Sequence, residues 1–345
     1  MQLEPYALHG VPIHFTTADA GIAARLRRQW APFCGEGEGQ PLRVHLQAVA
    51  EMPASPALPP PEMPASLVIS QGPTVHYHVQ GMQVSAFFPR WGRFDIDLAA
   101  ATVTGKMTAT GLPLYGLFED MILIALAPLL RRRGCYTLHA FAAELAGGDA
   151  LASAAVLFIG DVGAGKTTSG LSLLAAGARL IANDSPLLRF SPDGGVEVCA
   201  YPGLISAYAD SLAWFPQLAG VLAGAEQRSG SAKYSFGVED IWPDRWQMTA
   251  KPGLLLFPQV TPGLSASELQ PLARFAALQR LVGQSMEDWD RATLPAHLRS
   301  LRLLVEAAPA YILHLAPDVQ RLPGLARAAL TAAARPNSPK SPLPR

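Results

Sequence analysis

The feature that most constrains the fold is a glycine-rich octapeptide between an apolar strand and a helix. Residues 155–159, AVLFI, form a short apolar run that predicts a buried strand. Residues 160–167, GDVGAGKT, follow at once and match the pattern G-x-x-x-x-G-K-[ST] completely. A helical pattern then continues to about residue 176. A strand, a glycine-rich loop and a helix in this order predict an α/β domain.

The loop has the residue types that phosphate binding requires. Its glycines allow the backbone to wrap an anion, and its amides converge at a helix N-terminus that favours negative charge. Lys166 supplies a mobile positive charge to the outer phosphates of a nucleoside triphosphate. We therefore predict that ATP is bound by the loop residues Gly160, Asp161, Val162, Gly163, Ala164, Gly165, Lys166, Thr167 and Thr168. The pattern does not distinguish ATP from other nucleoside triphosphates. The alternative interpretation of these residues is a glycine-rich turn that binds nothing.

A phosphate-binding loop of this kind also needs oxygen ligands for Mg²⁺. Thr167 offers a hydroxyl, and a carboxylate is ordinarily found at the end of an apolar strand nearby. After the predicted helix, a turn at Gly177 leads into the short strand 179–182, which ends at Asn183-Asp184. Thr167 and Asp184 are therefore the predicted ligands of Mg²⁺. The alternative is that residues 183–186, NDSP, form a surface turn, which their composition also suits.

The first part of the chain predicts a mostly β domain. Alternating patterns at 74–80, 83–87 and 93–98 predict strands of an antiparallel meander. A helix is predicted around 19–30, and the Pro- and Ala-rich segment 52–64 is predicted to be a surface loop.

The later part of the chain alternates between strand and helix. Beyond a helix at 119–133, strands are predicted at 137–145, 253–257 and 310–315, and a helix around 288–306. Residues 147–149, GGD, predict a turn.

These patterns predict an α/β protein with two domains. The mostly β N-terminal domain spans 1–118, the α/β domain with the glycine-rich loop spans 119–335, and the Pro- and Ser-rich tail 336–345 is predicted to be disordered.

The apolar run 121–130 is too short for a membrane span. About 20 apolar residues are needed to cross a bilayer, and this run also contains Pro128. It predicts a buried helix whose following arginines, 131–133, complement the helix dipole; an interfacial anchor is the alternative.

Charge and cysteine content limit the partners and the compartment. The formal net charge is zero, which disfavours nucleic acid as the main partner. The three cysteines lack metal-ligand spacing, leave at least one thiol unpaired and favour a reducing environment. The N-terminus does not match a secretory signal, and we therefore predict a cytoplasmic protein.

The sequence around the loop resembles a known family. His139, followed by residues 156–190, VLFIGDVGAGKTTSGLSLLAAGARLIANDSPLLRF, resembles the C-terminal domain of HPr kinase/phosphorylase and its relatives. The likeness rests on the upstream histidine, the loop, the return strand G-x-R-L and the acidic turn after it. It covers about 136–190 and extends loosely to 325, where residues 310–317, AYILHLAP, resemble a closing strand.

The N-terminal part does not resemble that of the bacterial HPr enzyme. It is more similar to divergent HPr-kinase-related proteins, including those that phosphorylate lasso peptide precursors. The resemblance implies an ATP-dependent kinase that phosphorylates a serine hydroxyl on a peptide or small protein, with His139, Lys166 and Asp184 as catalytic residues. Because relatives often assemble, it also implies a possible homo-oligomer. Without the resemblance, His139 reads as a hydrogen-bonded core histidine.

Two departures from the family pattern affect the chemistry. The family has two adjacent aspartates where this chain has Asn183-Asp184, and an asparagine cannot accept a proton. In the family, one aspartate is linked to Mg²⁺ and the other to activation of the attacking hydroxyl. In this chain either Asp184 has both roles, or His139 takes the proton, or the site binds nucleotide with little turnover. Thr168 stands where the bacterial enzyme tends to have glutamate, so phosphorylase activity is not expected.

Two other classes of function remain as alternatives. One is a non-catalytic nucleotide-dependent binding module, and the other is a small-molecule kinase. Lys233, Arg245 and Lys251 are candidates to steady the transferred phosphate or an acidic substrate, with scattered surface cations as the alternative.

Overall fold

The computed structural model describes residues 1–52, 65–67, 75–112, 116–146, 153–224 and 233–334. Over these residues the chain is a mixed α/β protein with sheets of eight, six, four and two strands. The predictions for most of the 52–64 loop, the turn at 147–149 and the tail 336–345 lie outside the described residues.

The chain divides into two compact units. One unit contains Met1–Arg133 and Glu287–Leu294, and the remaining described residues form the other. The helix Leu117–Arg132 therefore groups with the first unit, whereas the sequence places its domain boundary at 118/119. That boundary stays a prediction.

The first unit is built on the eight-stranded sheet, in the order β1-β2-β3-β8-β7-β6-β5-β4. Its strands are β1 Tyr6–Leu8, β2 Val11–Thr17, β3 Leu42–Val49, β4 Ala65–Leu67, β5 Val75–Gln80, β6 Gln83–Phe88, β7 Gly92–Asp97 and β8 Thr102–Thr108. Strands β4 to β8 pair in succession as an antiparallel meander, and the predicted strands at 74–80, 83–87 and 93–98 are confirmed, the first over its described residues 75–80. The first helix, α1 Ala20–Trp30, is also confirmed; the Asp19 side chain accepts a hydrogen bond from the backbone N of Ile22 at 2.8 Å.

The second helix of this unit, α2 Leu117–Arg132, is almost entirely buried, as its apolar sequence predicts. Its last arginines do more than complement the helix dipole. Arg131 Nε lies 2.9 Å from Asp290 Oδ2, and Arg132 bonds both oxygens of the same carboxylate. Arg131 Nη1 also lies 2.8 Å from Glu287 Oε2. These ion pairs hold the 287–294 segment within the first unit.

The second unit is built on the six-stranded sheet, in the order β12-β10-β11-β18-β20-β19. Its strands in the chain are β9 Cys135–Thr137, β10 Ala140–Leu145, β11 Ala154–Ile159, β12 Arg179–Ala182, β13 Leu187–Phe190, β14 Val196–Cys199, β15 Ile205–Tyr208, β16 Lys233–Phe236, β17 Thr249–Ala250, β18 Pro252–Val260, β19 Glu268–Leu272 and β20 Ala310–Leu315. The strands predicted at 155–159, 179–182, 253–257 and 310–315 are confirmed.

The second unit also contains six helices among its described residues: α3 Lys166–Ala175, α4 Ala209–Leu212, α5 Ala219–Gly224, α6 Arg274–Gly283, α7 Leu294–Ala307 and α8 Leu322–Ala334. Helices α3 and α8 pack with the six-stranded sheet around one apolar core. Among the described residues of the whole chain, no helix is both long and apolar enough to cross a membrane.

Two predicted elements are wrong in extent. The single strand predicted at 137–145 is two strands in different sheets, because β9 pairs with β13 whereas β10 pairs with β11 and β12. His139 lies at the junction between them and not within a strand. The helix predicted around 288–306 begins only at Leu294, because residues 287–290 supply the carboxylates that pair with Arg131 and Arg132.

Candidate functional site

The sheet topology of the second unit brings three chain segments to one edge. Strands β11 and β12 run parallel to each other, and β10 runs antiparallel between β11 on one side and β12 on the other. The N-terminus of β10 therefore lies beside the C-termini of its two neighbours. The register pairs Ala140 with Ile159 and Ala142 with Ala182. His139, the start of the glycine-rich loop (Gly160–Thr167) and Asn183-Asp184 consequently meet at this edge.

The glycine-rich loop uses backbone conformations that favour glycine. Gly163 has φ +83° and Gly165 has φ +102°, both in the left-handed region. Gly165 is the N-cap of α3, and no described side chain caps this helix end by a hydrogen bond. The N-terminal amides of α3 are therefore directed to the same edge of the sheet, where they favour an anion.

Lys166 is the first residue of α3, and its side chain is folded back onto the loop. Its ammonium donates to the carbonyl oxygens of Gly160 at 2.6 Å and Asp161 at 3.1 Å, and lies 3.0 Å from His139 Nε2. The residue is only 7% exposed. Burial lowers the pKa of Lys166, and the charge of Lys233 lowers it further against the opposing effect of Asp184.

His139 connects Lys166 to Asp184. Its Nδ1 lies 3.3 Å from Asp184 Oδ1, while its backbone N donates to the carbonyl oxygen of Gln284 at 2.9 Å. Burial lowers the pKa of His139 below 6.5; the Lys166 charge lowers it too, and Asp184 opposes both. A neutral imidazole that accepts from the lysine ammonium at Nε2 carries its proton on Nδ1, which faces Asp184.

The residues of the acidic turn differ in their environments. The Asp184 side chain is about half exposed, and its backbone oxygen accepts from Ala140 N at 3.0 Å, which fixes the turn against β10. The amide oxygen of Asn183 is buried and has no hydrogen-bond partner among the described residues. A carboxylate oxygen in this position would be buried, and burial raises the pKa of a carboxyl group and opposes its ionisation.

Two contacts around the loop have no signal in the sequence. Thr168 Oγ1 donates to Ser211 Oγ at 2.8 Å, which ties α4 to the first turn of α3. Gln284 Nε2 donates to Asp161 Oδ1 at 2.8 Å, so one residue contacts both the loop and, through its backbone, His139. Ser211 and Gln284 are far from the loop in sequence and belong to no motif.

The three candidate cations fall in different places. Lys233 begins β16 and acts electrostatically on both Lys166 and His139. Arg245 bonds the carbonyl oxygen of Gly177, just before β12, and the backbone oxygen of Lys251 accepts from Ala155 at the start of β11. Arg245 and Lys251 therefore lie at the edge of the sheet opposite the loop, and they are not placed to contact a phosphate that the loop binds.

A cavity of about 500 Å³ also lies at that opposite edge. Its lining includes the Glu144–Arg179 ion pair, Ser153 and Arg245, and no residue of the glycine-rich loop. It is therefore separate from the constellation formed by Lys166, His139 and Asp184.

The fit of ATP and Mg²⁺ to this edge depends on the donors that the chain presents. The loop amides and Lys166 suit a triphosphate, and the oxygens of Thr167 and Asp184 suit Mg²⁺. Within the described part of the chain, no three side chains of His, Cys, Asp or Glu converge as a metal site. A magnesium ion here would take its other ligands from phosphate oxygens and water, as it usually does.

Comparisons with known proteins add a distant structural likeness. No known protein family matches the sequence, and no curated protein matches it. One solved structure that matches is the HPr(Ser) kinase/phosphatase from Coxiella burnetii, with 13% sequence identity and a TM-score of 0.31, over 56% of this chain and 88% of that chain. At these values the relationship is distant, and neither an activity nor a site residue is transferred from it.

Proposed function

We propose that this protein is an ATP-dependent phosphotransferase that transfers the γ-phosphate to a serine hydroxyl on a peptide or small protein. The observation that carries the proposal is the continuous set of contacts from Lys166 through His139 to Asp184 beside the glycine-rich loop. A buried lysine, a neutral histidine and a carboxylate at a helix N-terminus suit phosphate transfer better than a structural turn.

Nucleotide binding would change the partners of Lys166. In the structure its ammonium bonds the carbonyl oxygens of Gly160 and Asp161. The outer phosphates of ATP offer a charged acceptor in place of these neutral ones, and charge-assisted hydrogen bonds are the stronger. Thr167 and Asp184 would hold Mg²⁺, which, when bound, neutralises charge on the transferred phosphate.

His139 is the residue best suited to take the proton of the acceptor. Once Lys166 turns to the phosphates, Nε2 of the neutral imidazole is free to accept. The acceptor oxygen then bonds to the γ-phosphorus, the bond from phosphorus to the oxygen that bridges to the β-phosphate breaks, and the hydroxyl proton moves to Nε2. Asp184 faces Nδ1 and would stabilise the imidazolium that forms. Asn183 cannot take this part, because an amide is not a base at neutral pH.

Several further elements of the proposal rest on the sequence. The peptide acceptor, the kinase activity without phosphorylase activity and a possible homo-oligomer follow from the resemblance to HPr-kinase-related proteins. A cytoplasmic location is proposed from the three cysteines, which lack metal-ligand spacing and favour a reducing environment. The zero net charge supports a partner other than nucleic acid.

The proposal is tested by following label from γ-labelled ATP to serine. Purified protein is incubated with Mg²⁺ and candidate peptides encoded near its gene, together with Lys166→Met and with Lys251→Met as a matched control. Lys251 is a suitable control because its side chain is 80% exposed. We expect transfer by the wild type and Lys251→Met, and a loss of at least about 100-fold in Lys166→Met. Label on serine that is unchanged in Lys166→Met would contradict the proposal.

A second candidate is a nucleotide-dependent binding module without turnover. Asn183 favours this candidate, because with an asparagine at this position the turn holds only one carboxylate. The amide oxygen of Asn183 is also buried and has no hydrogen-bond partner among the described residues. Asn183→Asp separates the candidates: a large gain in transfer indicates that the natural protein is impaired as an enzyme. If His139 is the base, Asn183→Asp gives no gain and lowers stability by about 1–3 kcal/mol, because it buries an unpaired carboxyl. A small-molecule kinase is distinguished by label that appears on a metabolite and not on a peptide.

A further inference from the structure

The two-stranded sheet of the second unit ends next to the glycine-rich loop. Strands β15 and β16 are antiparallel, and Tyr208 and Lys233 form the last pair of their register. Tyr208 is followed directly by α4, where Ser211 accepts the hydrogen bond from Thr168. The end of the sheet that bears Lys233 is therefore tied to the first turn of α3, two residues after Lys166.

The side chain of Lys233 is held at this end. Its Nζ lies 5.1 Å from the centroid of the Tyr208 ring, within the range of a cation–π contact. Tyr208 itself is 40% exposed, so the space in front of this pair is open to solvent. Tyr208 lies three residues before Ser211, which accepts from Thr168 at 2.8 Å, so Lys233 is held near the first turn of α3 and the glycine-rich loop.

The ammonium groups of Lys166 and Lys233 repel each other, and Asp184 offsets part of this positive charge. A bound phosphate would offset more of it. Lys166 belongs to the loop and would accompany the phosphates from binding to release. Lys233 approaches from a different element, β16, whose end is tied to the first turn of α3. During transfer the charge is spread over the three equatorial oxygens of the phosphoryl group, and a cation that approaches from outside the loop can stabilise this group.

Resting on the phosphotransferase function above, we propose that Lys233 is a further catalytic residue that contacts the transferring phosphoryl group. It stabilises this group during transfer and contributes little to holding ADP. No bond to Lys233 forms or breaks: the phosphoryl group passes from the β-phosphate oxygen to the acceptor oxygen, and the proton goes to His139.

The test compares Lys233→Met and Lys233→Arg with Lys251→Met as the surface control. Lys251 is a lysine of the same unit at the opposite edge of the sheet. Two quantities are measured: kcat for transfer to the peptide acceptor, and the affinity for ADP with aluminium fluoride relative to ADP alone. The fluoride complex imitates the phosphoryl group in transfer and needs no acceptor.

We expect Lys233→Met to lower kcat by about 100-fold or more, and the fluoride-to-ADP affinity ratio to fall in parallel. Its ADP affinity should stay within about twofold of the wild type, since Lys233 contributes to the transferring group. Lys233→Arg should recover part of both losses because it keeps the charge, and Lys251→Met should match the wild type. Thermal melting checks that each variant is folded.

Three results would overturn the proposal. In the first, Lys233→Met keeps the wild-type kcat and affinity ratio. In the second, it loses ADP and fluoride-complex affinity equally, which indicates a general effect on the loop. In the third, the wild type binds no nucleotide, which refutes the phosphotransferase function and, with it, the proposed role of Lys233. A wild type that binds nucleotide but transfers to no acceptor still gives the affinity ratio, so the two failures are distinguishable.

Discussion

Two glycines of the loop provide a matched test of how tightly it is built. A Cβ at Gly165 would lie 2.5 Å from Leu315 Cδ1, whereas a Cβ at Gly163 would meet no atom of the described residues within 4 Å. Both positions have left-handed backbone, with φ of +102° and +83°. Replacing each with alanine therefore applies the same conformational strain but a different steric load.

The structure gives the expected size of each effect. Left-handed backbone costs a non-glycine residue about 1–2 kcal/mol, and this applies to both variants. Gly165→Ala adds an overpacking cost of about 1–3 kcal/mol, because Leu315 is 9% exposed and has little room to move. We therefore expect a loss in the free energy of unfolding of about 1–2 kcal/mol for Gly163→Ala and about 2–5 kcal/mol for Gly165→Ala.

The assay is urea denaturation of the wild type and both variants, followed by a probe within the second unit. The intrinsic fluorescence of Trp242 and Trp246, both partly buried against its core, reports on this unit once the other tryptophans are replaced. Equal slopes with denaturant would show that the same transition is compared. A Gly163→Ala variant at least as destabilised as Gly165→Ala would refute the reasoning, because it would remove the steric difference between the two sites.

Two further predictions concern charge. Asp290→Asn should lower the free energy of unfolding of the first unit by about 3–5 kcal/mol, because it leaves the buried charge of Arg131 with less negative charge beside it. The control Asp95→Asn, at an exposed ion pair, should lower it by about 0–1 kcal/mol. Equal losses of both variants in urea denaturation would contradict this prediction. The pKa of Asp290 lies below its usual value because Arg132 and Arg131 outweigh the opposing effect of burial, so this stabilisation is present above the unfolded pKa and is lost as pH falls through the folded pKa. For His139, an NMR titration should give a pKa below 6.5, and this pKa should fall further in Asp184→Asn because Asp184 raises it. Protonation of His139 then favours the unfolded state as pH drops below about 6.5. A His139 pKa that rises in Asp184→Asn would contradict the assignment.

The parts of the fold that depend on local sequence were predictable. The apolar run before the loop, the loop pattern and the helical period after it lie in one continuous stretch, and β11 and α3 form there as predicted. Strands β12 and β20 have the predicted bounds, because each is a short, mostly apolar run with clear ends. Pattern reasoning succeeds here because no distant residue is needed to decide the element.

Other features depend on distant pairing and could not be predicted. Residues 137–145 are mostly apolar, and nothing in that pattern shows that the chain leaves one sheet at Thr137 and enters another at Ala140. The pair of Arg131 with Asp290 joins residues 159 positions apart. Ser211 and Gln284 likewise reach the loop only through the tertiary fold, and a single polar residue in a helix or turn carries no signal of its partner.

The central claim is that the glycine-rich loop and Lys166 bind a magnesium nucleoside triphosphate, and calorimetric titration with Mg-ATP tests it most directly. Wild type and Lys251→Met should bind with the same affinity, while Lys166→Met should bind at least about 100-fold more weakly, which corresponds to about 2.7 kcal/mol. Thermal melting of Lys166→Met without nucleotide should show a folded protein. Undiminished binding of Mg-ATP by folded Lys166→Met, or no binding by the wild type, would contradict the account.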